Sequence, residues 1–237
     1  MQTTELDPAL SQALGDAQRA GLKLVIGNKN YSTWSMRAWV AMTAFNIPFE
    51  EVNISLKQPE TSSQILQYST SGRVPVLVAG ETVVWDSLAI CEYLAEQFPE
   101  KNMWPQDVDD RAMARSICAE MHSGFGALRS AMWMNIRASF PGKGRTPEAQ
   151  ADIGRIGEIW EDCLAKSGPH DFLFGDFTIA DAYFAPVVMR FRTYAVSLAP
   201  VLQSYVDRVA AHPAVEKWIA GALRETARLP ALDVYPE

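Results

Sequence analysis

At 237 residues, the chain is long enough for one large or two modest domains, each able to bury its own core. Its 48% apolar and 21% charged composition is that of a soluble globular protein, and no apolar run is long enough to cross a bilayer. A formal charge of -7 argues against nucleic acid or an anionic membrane as the main partner.

Residues 1–20 carry Glu5, Asp7 and Asp16 and lack a hydrophobic stretch. They read as neither a secretory signal nor a basic transit peptide, so a cytoplasmic location is expected. Asp7-Pro8 followed by Leu10 and Leu14 predicts a short capped helix within this N-terminal extension.

A strand over 22–27 then meets the polar turn Gly27-Asn28-Lys29-Asn30, the run Tyr31-Ser32-Thr33-Trp34-Ser35, and a helix over 35–45 that ends at Asn46-Ile47-Pro48. Such a junction aims unpaired N–H groups and the positive end of the helix dipole at one point, which suits an anion. The plainer reading is that Ser32 and Ser35 only cap the helix. Alternating Val52, Ile54 and Leu56 predict a second strand, parallel to the first across the helical crossover.

Residues 57–68 predict loop plus a short helix. A strand follows Val74-Pro75, because proline has no ladder donor. Ala79-Gly80-Glu81 turns it into a second strand over 82–85, giving an antiparallel hairpin. Asp86 or Ser87 caps the next helix, which stops at Pro99. This order predicts an α/β unit of thioredoxin-like type over 21–98, a linker over 99–108 interrupted by Pro105, and an all-helical domain over 109–237. Helices are expected over 111–140, 147–166, 179–191, 201–211 and 213–223, with Thr178-Ile179-Ala180-Asp181 as a capping box.

Cys91, Cys118 and Cys163 are far apart and form neither a disulfide framework nor a zinc knuckle. Cys118 and His122 are spaced as helical metal ligands can be, but without companions they read as core residues, and no metal is expected. His122, His170 and His212 all lie far along the chain from the first turn, and no G-x-S-x-G elbow exists. A Ser-His-Asp hydrolase is therefore disfavoured.

Taken together, the Ser-x-x-Ser turn, Val74-Pro75 before the hairpin, Asp86-Ser87 at the next helix and the Thr-Ile-Ala-Asp cap resemble the soluble glutathione S-transferases over about 22–223. The likeness is to a bacterial-like member with a serine-type turn and some zeta- and theta-like character. It implies an N-terminal thioredoxin-like domain followed by an all-helical domain, and Ser32 as the active-site serine. It further implies a cis Pro75 with the Val74 backbone facing the cysteinyl part of glutathione, and Asp86-Ser87 on the γ-glutamyl end. Lys57 and Arg73 match residues that hold the glycyl carboxylate. Thr178 and Asp181 match a structural cap with no catalytic part.

Trp34 is expected as a wall of the glutathione and substrate pockets. In zeta-like members, which isomerise maleylacetoacetate, its position typically carries Cys. Tyr31, Trp133, Asn135 and Arg137 are the other candidates for the electrophile pocket, with Tyr31 a second choice for the catalytic hydroxyl. The resemblance thus implies a detoxifying transferase acting on glutathione and an electrophilic small molecule, with a homodimer as the usual form. The alternatives are a glutathione-dependent isomerase of the zeta kind and a non-catalytic binding module.

Overall fold

The computed structural model describes residues 21–168, 171–230 and 235, and the helix expected within 1–20 lies outside them. Strand alternation decides the sheet. Along β1 (Lys23–Gly27), Leu24 and Ile26 enter the main core while Val25 enters a smaller one on the opposite face. β1 pairs in parallel with β2 (Glu50–Ile54) and antiparallel with β3 (Val76–Ala79), and β4 (Thr82–Trp85) completes the order β2-β1-β3-β4. The main core includes Met36 and Val40 of α1 (Thr33–Ala44) and Ile90 and Leu94 of α3 (Ser87–Gln97). On the other face, Ile65 of α2 (Thr61–Leu66) covers Val25, Ile54 and Val76. Each such burial contributes roughly 1.5–3 kcal/mol. A one-residue slip of β1 would exchange the two faces.

A 3-10 turn (Pro99–Lys101) leads to α4 (Val108–Ser123), α5 (Gly126–Ala131), α6 (Pro147–Ser167), α7 (Ile179–Thr193), α8 (Pro200–Ala211) and α9 (Pro213–Arg224). A thioredoxin-like unit followed by a helical one is the expected fold class. No helix among the described residues is long and apolar enough to cross a membrane.

Two expected helices are corrected. The run 111–140 does not stay helical, because Phe125 adopts a left-handed φ of 58 between Gly124 and Gly126 and separates α4 from α5. The first helix starts at Thr33 with Ser32 as its N-cap, so Ser35 lies inside it and is not the cap.

α7 is buried along nearly its whole length, and the Nε of Arg37 on α1 donates to the Tyr183 carbonyl at 3.2 Å, tying the two halves together. The capping box at its start is formed by both partners, Thr178 and Asp181. Fully buried Asp181 accepts from Thr178 N at 2.9 Å, Leu173 N at 3.1 Å, the Tyr205 hydroxyl at 3.0 Å and the Thr178 hydroxyl at 3.2 Å. Burial pushes its carboxyl up to about 6, against the pull of these donors. Asp181→Ala orphans them all. It is expected to lower stability by about 2–4 kcal/mol in urea unfolding, and a loss under about 0.5 kcal/mol would show that this network does not hold the helical half.

Candidate active site

The loop between β1 and α1 is closed by its own backbone, with Tyr31 N and Ser32 N both donating to the Asn28 carbonyl. Ser32 makes no side-chain cap bond; its Oγ instead donates to Ser35 Oγ at 2.7 Å, and Ser35 Oγ accepts from Gly27 N at 3.0 Å. The two serines thus form a buried chain running from the end of β1 to the start of α1. The first-turn N–H groups stay without a side-chain cap, and the positive end of the helix dipole stays available.

The far end of the chain clamps this loop. The Glu225 carboxylate accepts from Lys29 N at 2.6 Å and Asn30 N at 3.0 Å. Trp218 Nε1 donates to the Lys29 carbonyl at 3.0 Å, while Lys29 Nζ reaches Glu51 at 2.7 Å. Gly221 lets α9 lie close against the Lys29 side chain, since a Cβ at that position would fall 2.7 Å from Lys29 Cδ. Asn135 is 6% exposed and accepts from Asn30 Nδ2 at 2.8 Å. Arg137 donates to the carbonyls of Glu225 and Ala227 and to the Tyr31 hydroxyl. Asn135 and Arg137, expected in the electrophile pocket, therefore lie outside its wall. Both are polar because they bind the Tyr31 loop and the tail.

A cavity of about 540 Å³ opens beside Ser32. Tyr31, Ser32 and Trp34 line one side, Lys57, Arg73 and Val74 another, and Trp133 faces them from the helical half. Seven of the expected site residues are thus gathered around one space. Pro75 follows Val74 through a cis peptide bond, as the resemblance implied.

Asp86 and Ser87 stand apart from that wall. Asp86 caps α3 by accepting from Leu88 N at 2.8 Å and Ala89 N at 3.4 Å, and it does so at a φ of 77, a conformation that non-glycine residues rarely adopt. Its other carboxylate oxygen is 3.2 Å from His122 Nε2, and His122 Nδ1 is 2.7 Å from the Tyr183 hydroxyl. Ser87, 1% exposed, shares that Tyr183 hydroxyl at 3.0 Å. His122 also meets the Trp34 ring edge-on at 5.1 Å, so a histidine remote in sequence from the first turn stands next to it in space.

Sequence reasoning missed the cations of the helical wall. Arg129 and Arg190 line the cavity. Arg190 stands out in retrospect as a charge inside the apolar run 179–191. Burial, then Arg129 and Arg37, brings its pKa down to about 9; burial and then Arg37 bring Arg129 down to about 10. All of them remain cationic at neutral pH. The chain's own thiols are poor nucleophiles by contrast. Burial pushes Cys91 and Cys163 up to about 12 and Cys118 well above its ordinary value.

Two family models match the chain: the glutathione S-transferase N-terminal domain over residues 31–97 and the C-terminal domain over 143–221. Among curated proteins, glutathione S-transferase 1 of Dianthus caryophyllus is 36% identical, over 78% of this chain and 86% of that protein. The maleylacetoacetate isomerase of Rattus norvegicus is 27% identical, over 71% of this chain and 78% of that protein. A solved glutathione transferase homologue from Burkholderia GL BGR1, with bound glutathione, superposes with a TM-score of 0.67 at 25% identity, covering 86% of this chain and all of that one.

Proposed function

The chain belongs to the glutathione S-transferase family, and on that basis we propose that it is a transferase in which Ser32 and the start of α1 hold glutathione as a thiolate for attack on an electrophilic small molecule. The observation that carries this reading is the Ser32–Ser35 chain at an uncapped helix start on the cavity wall.

Bringing a free thiol from about 8.5 to about 6.5 takes about 2.7 kcal/mol. A hydroxyl bonded to an anion supplies roughly 1.5–3 kcal/mol, and a helix N-terminus roughly 0.3–1, more when partly buried. Together these suffice without a general base. Ser35 accepts from Gly27 N, so its own proton is free to turn toward Ser32 Oγ, which releases the Ser32 proton for the sulfur. Val74 backbone groups, Lys57 and Arg73 on the same cavity suit a peptide with a terminal carboxylate. Asp86, at the start of α3 and apart from that wall, is the carboxylate that the family resemblance gives to the γ-glutamyl ammonium.

The isomerase reading draws on the rat relative, and Trp34 in place of the zeta-type Cys weighs against it. The decisive test is retention on immobilised glutathione, followed by turnover with a general aromatic halide and with a maleyl diketo acid. Retention with halide turnover is the expected result. Turnover of the diketo acid alone would select the isomerase, retention without turnover a binding module, and no retention would end every glutathione-based reading.

A further inference from the structure

Two guanidinium groups flank Trp34 and a third lines the same cavity, and among the described residues none of the three is in an ion pair. Arg37 Cζ lies 4.5 Å and Arg129 Cζ 4.8 Å from its ring centroid, and Arg190 lines the same cavity as Arg129. Arg37 is wholly buried, its Nη1 and Nη2 without a hydrogen-bond partner among the described residues, while Arg190 is 3% exposed. Arg129 spends Nε and Nη2 on the carbonyls of Gly124, Met121 and His122, and Arg190 spends Nε and Nη1 on those of Met132 and Pro186. Among the described residues Nη1 of Arg129 and Nη2 of Arg190 are left uncommitted. Asp152, the carboxylate that acts on Arg129 through space, accepts from Leu128 N.

Crowded, desolvated cations repel one another, and an anion placed between them and the cavity relieves that repulsion. Beside Arg129 and Arg190 the helical wall presents the apolar surfaces of Trp133 and Met134, with Trp34 across from them, while Lys57 and Arg73 lie on the part of the cavity that suits the terminal carboxylate of glutathione. We propose that the electrophile this protein accepts is itself an anion: a flat, unsaturated or aromatic molecule whose carboxylate is held by Arg129 and Arg190 while its reacting carbon faces Ser32. The proposal rests on the transferase reading for its chemistry, but the anion site can be tested without glutathione.

A suitable probe pair is 4-chloro-3-nitrobenzoate and 4-chloro-3-nitrobenzamide, alike in shape and different in charge. In the reaction the thiolate sulfur bonds to the chlorine-bearing carbon, chloride leaves with the C–Cl electron pair, and the carboxylate takes no part.

Calorimetric titration without glutathione should show the benzoate binding about tenfold or more tightly than the amide at low salt. Arg129→Gln should remove most of that preference, and Arg129→Lys should restore part of it, since the charge returns without the planar fork. Equal binding of the two probes by the unaltered protein would overturn the proposal, and so would a preference untouched in a folded Arg129→Gln protein. Should Arg129→Gln not fold, the comparison on the unaltered protein decides alone. Retention on immobilised glutathione is measured in parallel. Its loss with the benzoate preference intact removes the transferase reading and leaves the anion site. Retention with no preference removes the anion site alone.

Discussion

Ser32→Ala is expected to lower kcat/KM with an aromatic halide about 10- to 100-fold at neutral pH, the worth of one hydroxyl bond to an anion. The rising limb of the pH–rate profile should move up by about 1 to 2 pH units, because the bound thiol then ionises with the helix N-terminus alone to help it. Below that limb the penalty is full; well above it, where the thiolate forms unaided, activity recovers in part. Ser35→Ala should act in the same direction and more weakly, since it removes only the group 2.7 Å from Ser32 Oγ. An unchanged pH profile in Ser32→Ala would falsify the thiolate role.

Asp86→Asn separates charge from structure. Asparagine caps helices as well as aspartate does and tolerates positive φ, so α3 and the φ of 77 are kept. The pair with His122 is partly exposed and contributes little to stability. KM for glutathione should nevertheless rise about 10-fold or more, with kcat less affected, if the carboxylate holds the γ-glutamyl ammonium. A KM within twofold of the original, in a protein of unchanged Tm, would remove Asp86 from the site.

Much of this architecture is written locally. The period-two run at β1 gives way to helical spacing after Tyr31, Val74-Pro75 precedes a hairpin, and Thr-x-x-Asp opens α7; each is a contact between near neighbours in the chain. Even the break after α4 has a local sign in Gly124-Phe125-Gly126, which apolar spacing over 111–140 obscures. Ser32 and Ser35 are equivalent as sequence-level caps, and only the Gly27 N–H, eight residues from Ser35, assigns Ser35 to the interior. The roles of Arg129, Arg190 and His122 depend on which helices cross α1, and that is set by tertiary packing beyond the reach of periodicity. Asn135 and Arg137 read as pocket residues because a polar group amid Met and Trp signals a site; their partners, Asn30 and the tail carbonyls, lie 88 to 107 residues away.

Glu225 makes its bonds to Lys29 and Asn30 across 196 and 195 residues of chain. Contacts of that span close the longest loops, so they form readily only after the intervening structure has brought their ends together. During synthesis from the N-terminus the sheet and the Ser32 loop emerge long before the acceptor for the loop's N–H groups. A growing chain therefore carries an incompletely tethered Ser32 loop until α9 has docked, so the geometry of that loop depends on a helix made long after it.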